Sequence, residues 1–334
     1  MFVTRRIPSP GLDVLAEAGA EVTVCQTDEE AGVSRRQLLD GVRECDVLLP
    51  LLTERIDHEV MAANAALLGV ANMAVGHDNI DLAAAMDLGL PVTNTPGVLT
   101  DTTADLTFAM LLAVARRVPQ AHDYTAQGRY RIWGPNLFLG ADVGLGASGR
   151  RKVLGVVGFG RIGAAVARRA EGFDMEVLAC DPAVEVAHPG VEQVELAELL
   201  DRSDFVSLHP PLTEQTRHLI GAPELRRMKP SAFLINAARG PVVDEAALVV
   251  ALREREIAGA ALDVYEDEPA LAAGLVDLDN VVLMPHIASA SHDTRGAMAT
   301  MAATNALCHL RGEPAPNVLN PEVYDTAAYR ARRP

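Results

Sequence analysis

No stretch of the 334-residue chain is apolar for long enough to span a bilayer. The first residues, MFVTRRIPSP, run straight into folded-looking sequence with no apolar signal core, so the expectation is a cytoplasmic protein. Cysteine is scarce. Four residues (Cys25, Cys45, Cys180, Cys308) are scattered without a CxxC pair, a pattern that points to buried reduced thiols rather than disulfides or a zinc site. Positive charge is in deficit. Twenty-nine Lys and Arg against 45 Asp and Glu give a net charge of -16, which repels phosphate backbones and argues against nucleic acid as a partner. An anionic substrate stays open, because a few local cations reverse the field inside a cleft.

What is present is an alternation. The length exceeds what one core supports, so two domains are expected. FVTRRI, EVTVC, DVLLPLL, LLGVANM and LPVTN read as strands, separated by helical patterns such as SRRQLLDGVREC, with Ser34 as its N-cap. Strands alternating with helices indicate βαβ units and a parallel sheet. Pro96-Gly97 interrupts, and the helix TTADLTFAMLLAVARR follows. Residues 118–152 read as an irregular, Gly-rich excursion that carries the only tryptophan, Trp133, and ends in an exposed basic loop, GLGASGRRK. A second βαβ series starts at Val153 and closes at NVVLMPH, before a last long helix near 291–310. The fold expected is α/β: two Rossmann-like or flavodoxin-like parallel-sheet domains with a ligand cleft between them. The first would comprise residues 1–99 and 286–334, the second residues 100–285.

Gly158, Gly160 and Gly163 form GxGxxG between the strand VLGVV and a helix, and Asp181 closes the next strand about 20 residues on. Gly158 permits the turn, Gly160 lets backbone approach a pyrophosphate, and Gly163 packs helix on strand; the helix N-terminus faces the phosphates. Asp181 suits two ribose hydroxyls and repels a 2′-phosphate, and no arginine follows it in DPAVEV. NAD is therefore expected over NADP.

Three residues stand at strand ends of the second series: Arg239 in LINAARGPVVDE, Glu268 in LDVYEDEP and His286 in LMPHIASA. Reducing a 2-keto acid needs a guanidinium on the carboxylate, a proton donor at the carbonyl oxygen, and a carboxylate that orients the donor and favours its charged form. Arg239, His286 and Glu268 fit those roles. Taken singly, each has a plainer reading: a surface arginine, one of a solvated acidic run, a cap beside Pro285. Among the nine histidines, His209 borders the cofactor, His77, His218 and His292 read as surface or capping residues, and no metal set is evident.

GVVGFGRIG, LINAARGPVVDEAAL, LDVYEDEP and MPHIASAS, with AVGHDNIDL, VTNTPGVLTDTTADL and ARRV in the first half, resemble the D-isomer-specific 2-hydroxyacid dehydrogenases, nearest the glyoxylate and hydroxypyruvate reductase branch. The resemblance implies that the first domain binds substrate and residues from Thr100 to about Pro285 bind NAD. It implies carboxylate binding by Arg239, acid–base catalysis by His286 and Glu268 as its partner. It gives cofactor contacts to Phe159, Arg161 and Ile162 within the glycine motif, and to His209, Pro211, Ala237 and Asp263, the last two facing the nicotinamide. Backbone N–H groups of Val75 and Gly76 would hold the substrate carboxylate, and Leu52 would line the pocket. A homodimer joined through the linking region is implied, with Trp133 reaching the partner's pocket. Glyoxylate or hydroxypyruvate is the expected substrate. Phosphoglycerate dehydrogenase is the alternative within the class, with Arg55 the one obvious extra cation, and a non-catalytic NAD(H)-sensing protein is the alternative outside it.

Overall fold

The computed structural model describes residues 1–28 and 30–332; the last two residues of the expected span 286–334 lie outside them. The chain divides into two compact units, Met1–Leu99 with Ala290–Pro334, and Thr100–Ser289. His286 thus belongs to the second unit.

The first unit is built on β1 (Phe2–Arg5), α1 (Ser9–Glu17), β2 (Thr23–Gln26), α2 (Arg35–Arg43), β3 (Val47–Leu49), α3 (His58–Ala62), β4 (Gly69–Ala71), α4 (Leu82–Asp87) and β5 (Val92–Thr93). Local capping sets these boundaries. Ser34 and Gln37 form a reciprocal capping box at α2, and the Asp57 and Asp81 carboxylates accept the N–H groups that start α3 and α4.

The second unit carries α5 (Thr100–Ala115), α6 (Val118–Ala126), β6 (Val153–Val157), α7 (Arg161–Glu171), β7 (Glu176–Cys180), β8 (Val191–Gln193), α8 (Leu196–Arg202), β9 (Phe205–Leu208), α9 (Ala222–Arg227), β10 (Phe233–Asn236), α10 (Glu245–Arg253), β11 (Gly259–Leu262) and β12 (Val281–Leu283). The chain then returns to the first unit with α11 (His292–Arg311) and α12 (Ala327–Ala331).

The first sheet runs β2-β1-β3-β4-β5 and the second β12-β11-β10-β9-β6-β7-β8. All pairings between these strands are parallel among the described residues. Alternate residues of one strand feed opposite cores, as the twofold period of a strand requires. In β6, Val153 and Val157 join the cluster packed with α8, α9 and α10, while Leu154 and Val156 join the one packed with α5 and α7. In the first unit, Leu48 packs towards α2, α3 and α4, and Val47 and Leu49 towards α1 and α11.

Two expectations need correction. Residues 118–126 form the helix α6 rather than irregular chain; none of its residues is buried, so no apolar stripe marks it in VPQAHDYTA. Only Cys45 of the four thiols is buried, its pKa pushed up to about 11 chiefly by burial; Cys25, Cys180 and Cys308 are half-buried, and all four are free. No described helix is long and apolar enough to cross a membrane.

Candidate active site

The second sheet reverses direction of growth at β6, which lies between β9 and β7. Open parallel sheets bind ligands at such switch points, beyond the carboxyl ends of the strands. Apart from Trp133, the candidate residues of the second unit lie at that edge: the glycine motif after β6, Asp181 after β7, His209 and Pro211 after β9, Ala237 and Arg239 after β10, Asp263 and Glu268 after β11, and His286 after β12.

At the glycine motif, Gly158 has φ +86°, and a Cβ there would sit 2.6 Å from Pro210 N. A Cβ on Gly163 would be 2.2 Å from the Gly158 carbonyl oxygen, whereas nothing lies within 4 Å of the corresponding position at Gly160. That opening faces the start of α7, which has no side-chain cap. Uncapped N–H groups at a helix N-terminus beside an open cradle fit a pyrophosphate. Phe159 is buried and Arg161 exposed. The Phe159 N–H donates to Asp181 Oδ2 at 2.7 Å, and the Ala183 and Val184 N–H groups donate to Oδ1 at 2.8 and 3.1 Å. The carboxylate is thereby fixed beside the motif. The stretch Pro182–Val186 brings no cation to it.

His209 Nε2 lies 2.8 Å from Ser207 Oγ, and its buried Nδ1 has no hydrogen-bond partner among the described residues. Desolvation pushes its pKa down to about 4, so the ring is neutral at ordinary pH. Ala237 is buried and Pro211 exposed.

Arg239 leaves β10 through a turn that Asn236 holds. Asn236, 1% exposed, donates from Nδ2 to the Arg239 carbonyl at 3.0 Å and accepts the Ala238 N–H on Oδ1 at 3.1 Å. Arg239 Nη1 donates to the Ala238 carbonyl at 2.8 Å. Glu268 Oε2 accepts from His286 Nδ1 at 2.9 Å, and Oε1 accepts the Tyr265 N–H at 3.0 Å. Burial alone would raise the Glu268 pKa, but the His286 hydrogen bond and charge, the Tyr265 N–H and the Arg239 charge outweigh it and hold it low. The carboxylate therefore stays ionised and accepts the Nδ1 proton, leaving His286 Nε2 as the free end of the ring.

Sequence reasoning missed the supporting role of Asp263, expected beside the nicotinamide, and missed Glu245 altogether. Asp263, fully buried, accepts the Ile287 and Ala288 N–H groups at 2.7 Å each, while His286 itself sits at φ +54°. Glu245, 4% exposed, accepts the Glu266 N–H at 3.1 Å and the Ala272 N–H at 3.0 Å, bracketing Glu268. Burial raises the pKa of both carboxylates. An acid on the first residue of α10, in an otherwise apolar helix, was the available signal for Glu245.

In the first unit, Leu52 is exposed, in a loop fixed by Glu54, whose Oε2 accepts Thr4 Oγ1 at 2.7 Å and the Leu51 N–H at 2.8 Å. Val75 and Gly76 are half-buried after β4. Trp133 is 72% exposed. No group of three His, Cys, Asp or Glu placed to hold a metal occurs among the described residues.

Residues 108–288 match the family model described as D-isomer specific 2-hydroxyacid dehydrogenase, NAD binding domain. The chain is 51% identical over 328 residues to a glyoxylate reductase of Korarchaeum cryptofilum, covering 97% of this chain and 96% of that one. It is 46% identical to a glyoxylate reductase of Thermococcus litoralis, covering 97% of each. Among solved structures, the TT0316 protein of Thermus thermophilus superposes with a TM-score of 0.88 at 44% identity, over 95% of this chain and 99% of that one. An NADPH-dependent glyoxylate/hydroxypyruvate reductase of Sinorhizobium meliloti, in complex with NADP and malonate, superposes with a TM-score of 0.80 at 31% identity, over 98% and 96%. An NAD-binding sheet carrying this set of strand-end residues, matched over nearly its whole length by such relatives, makes the chain a member of the D-isomer-specific 2-hydroxyacid dehydrogenase family.

Proposed function

We propose that the protein reduces glyoxylate or hydroxypyruvate to the D-2-hydroxy acid, with NADH as the preferred reductant. The observation that carries the chemistry is the 2.9 Å hydrogen bond from His286 Nδ1 to Glu268 Oε2, at the strand edge that also bears Arg239.

The α7 N-terminus and the open face of Gly160 would take the pyrophosphate, and Asp181 the adenosine ribose. The bound cofactor supplies the hydride. Arg239 binds the substrate carboxylate and draws electron density from the neighbouring carbonyl. His286 delivers its Nε2 proton to that carbonyl oxygen as negative charge develops there. Glu268, ionised, holds the ring by Nδ1 and faces the imidazolium with a full negative charge. The Val75 and Gly76 N–H groups, neither of which donates to an acceptor among the described residues, receive the substrate carboxylate. Leu52 would line the substrate pocket and Ala237 face the nicotinamide, whereas Asp263, expected beside the nicotinamide, is fully buried with both oxygens taken by the Ile287 and Ala288 N–H groups.

The preference for NADH rests on the fixed Asp181 carboxylate, which repels a 2′-phosphate. A phosphorylated substrate is disfavoured, because Arg55 is 85% exposed and extends to Asp57 at 3.8 Å. The exposed Tyr130, Ile132, Trp133 and Leu139 support a homodimer in which this segment is covered and Trp133 reaches the partner's pocket.

Oxidation of NADH and NADPH by the purified protein, with glyoxylate, hydroxypyruvate, pyruvate and phosphohydroxypyruvate, tests this reading. Turnover of the first two with NADH is expected, and Asp181→Ala should narrow the discrimination against NADPH by tenfold or more. Reduction of phosphohydroxypyruvate in preference to both would move the substrate assignment. A wild-type preference for NADPH would remove the argument from Asp181.

A further inference from the structure

This inference rests on the reading that the Val75 and Gly76 amides receive the substrate carboxylate, and concerns what aims them. In a planar trans peptide the C=O and the following N–H point in opposite directions, so whatever holds a carbonyl also orients the amide behind it. Three successive carbonyls are held here. Ala74 O accepts the Thr95 N–H at 2.9 Å, Val75 O accepts Asn94 Nδ2 at 2.8 Å, and Gly76 O accepts Asn72 Nδ2 at 3.0 Å. The amides opposite the first two carbonyls are those of Val75 and Gly76.

The two asparagines sit deep. Asn72 is fully buried and Asn94 is 7% exposed. Asn72 keeps Oδ1 buried without a partner among the described residues, so it carries an unsatisfied acceptor while its donor serves Gly76. Asn94 is braced in turn. Its carbonyl accepts Asn305 Nδ2 at 3.0 Å, its N–H donates to the Asn317 carbonyl at 3.2 Å, and Asn317 Nδ2 donates to Asn305 Oδ1 at 3.3 Å. Asn305 is fully buried on α11 and Asn317 belongs to the C-terminal tail, so the brace draws on chain more than 200 positions from the loop it steadies. The residue type matters. A neutral amide donates to a carbonyl; an isosteric carboxylate would repel both that carbonyl and an incoming anion.

We infer that Asn94 is a positioning residue that sets affinity for the substrate's carboxylate by holding the Val75–Gly76 peptide with the Gly76 amide turned to the ligand, while Asn72 steadies the peptide that follows. The ligand class is a small, planar 2-oxo carboxylate.

The test measures oxalate binding to the NADH-loaded protein by titration calorimetry, beside steady-state kinetics, for the wild type, Asn94→Leu and Asn94→Ala. The oxalate Kd and the keto-acid KM are expected to rise on the order of tenfold or more. NADH affinity should stay within about twofold of the wild type, and kcat should fall far less than KM rises. Asn94→Ala, which adds no bulk, serves where a leucine prevents folding. A purely structural role would lower the melting temperature and the active fraction while leaving oxalate affinity and KM unchanged. A folded Asn94→Ala with wild-type oxalate affinity would overturn the inference, as would a wild type that binds no oxalate. A wild type that binds oxalate and reduces no 2-keto acid would break the functional reading alone, and the variants' oxalate affinities would still decide the clamp.

Discussion

Asp263 governs His286 without touching its ring: the Asp263 carboxylate takes the N–H groups of the two residues that follow, Ile287 and Ala288, at 2.7 Å each. His286 occupies the left-handed region at φ +54°, which a residue with a side chain enters at a cost of about 1–2 kcal/mol. Two charge-assisted hydrogen bonds donated by these N–H groups to a buried carboxylate outweigh that cost and fix where the imidazole begins. Glu268 then fixes where it points.

Replacing Asp263 with Ala should therefore act on catalysis through His286. Two buried N–H groups lose their acceptor, at about 1–3 kcal/mol each. We expect kcat to fall by tenfold or more in a protein that still folds, with Asp263→Asn intermediate because one acceptor oxygen survives. Steady-state kinetics paired with thermal unfolding checks this. Unchanged kcat in a folded Asp263→Ala would show that the turn holds without it.

Glu268 titrates below the usual carboxylate range because the His286 partnership, the Tyr265 N–H and Arg239 outweigh its burial. A carboxylate whose folded pKa is depressed contributes stability above its unfolded pKa, about 4.3, and loses it as pH falls through the lower folded value. The stability advantage of the wild type over Glu268→Gln should shrink as pH falls below about 4. Urea denaturation across that range tests it; a difference that grows on acidification would contradict the assignment. The same variant should lose tenfold or more in kcat, since Gln offers no charge to the imidazolium.

His209 carries the opposite kind of group. Its folded pKa of about 4 lies below the unfolded 6.5, so the folded state resists protonation and stability is lost as pH falls from 6.5 towards 4. Between pH 7 and pH 5 the wild type should lose up to about 2 kcal/mol that His209→Gln does not. Parallel slopes for the two proteins would mean that the ring is hydrated.

Much of this was legible in the residues. Uninterrupted apolar strands, Ser34 as an N-cap, and GxGxxG followed by Asp181 are local signals, and the elements formed where those signals stand. Arg239, Glu268 and His286 were legible as strand-end residues and the Glu268–His286 pairing was expected, though its geometry depends on β11 and β12 lying side by side. The supports were hidden for the same reason. Asn236, Asp263 and Glu245 act on backbone groups, so their supporting role shows only in the folded chain. The Asn305 bond to Asn94 spans 211 positions. Helix α6 was missed because none of its residues is buried, and β8 because three residues at the sheet edge show no pattern.

The most direct test of the central claim is the stereochemical fate of hydroxypyruvate. Incubated with NADH and the wild-type protein, it should yield D-glycerate in step with NADH consumed, and His286→Ala and Arg239→Ala should each reduce the rate by at least a hundredfold while still binding NADH. L-glycerate, or undiminished turnover by His286→Ala, would contradict the account.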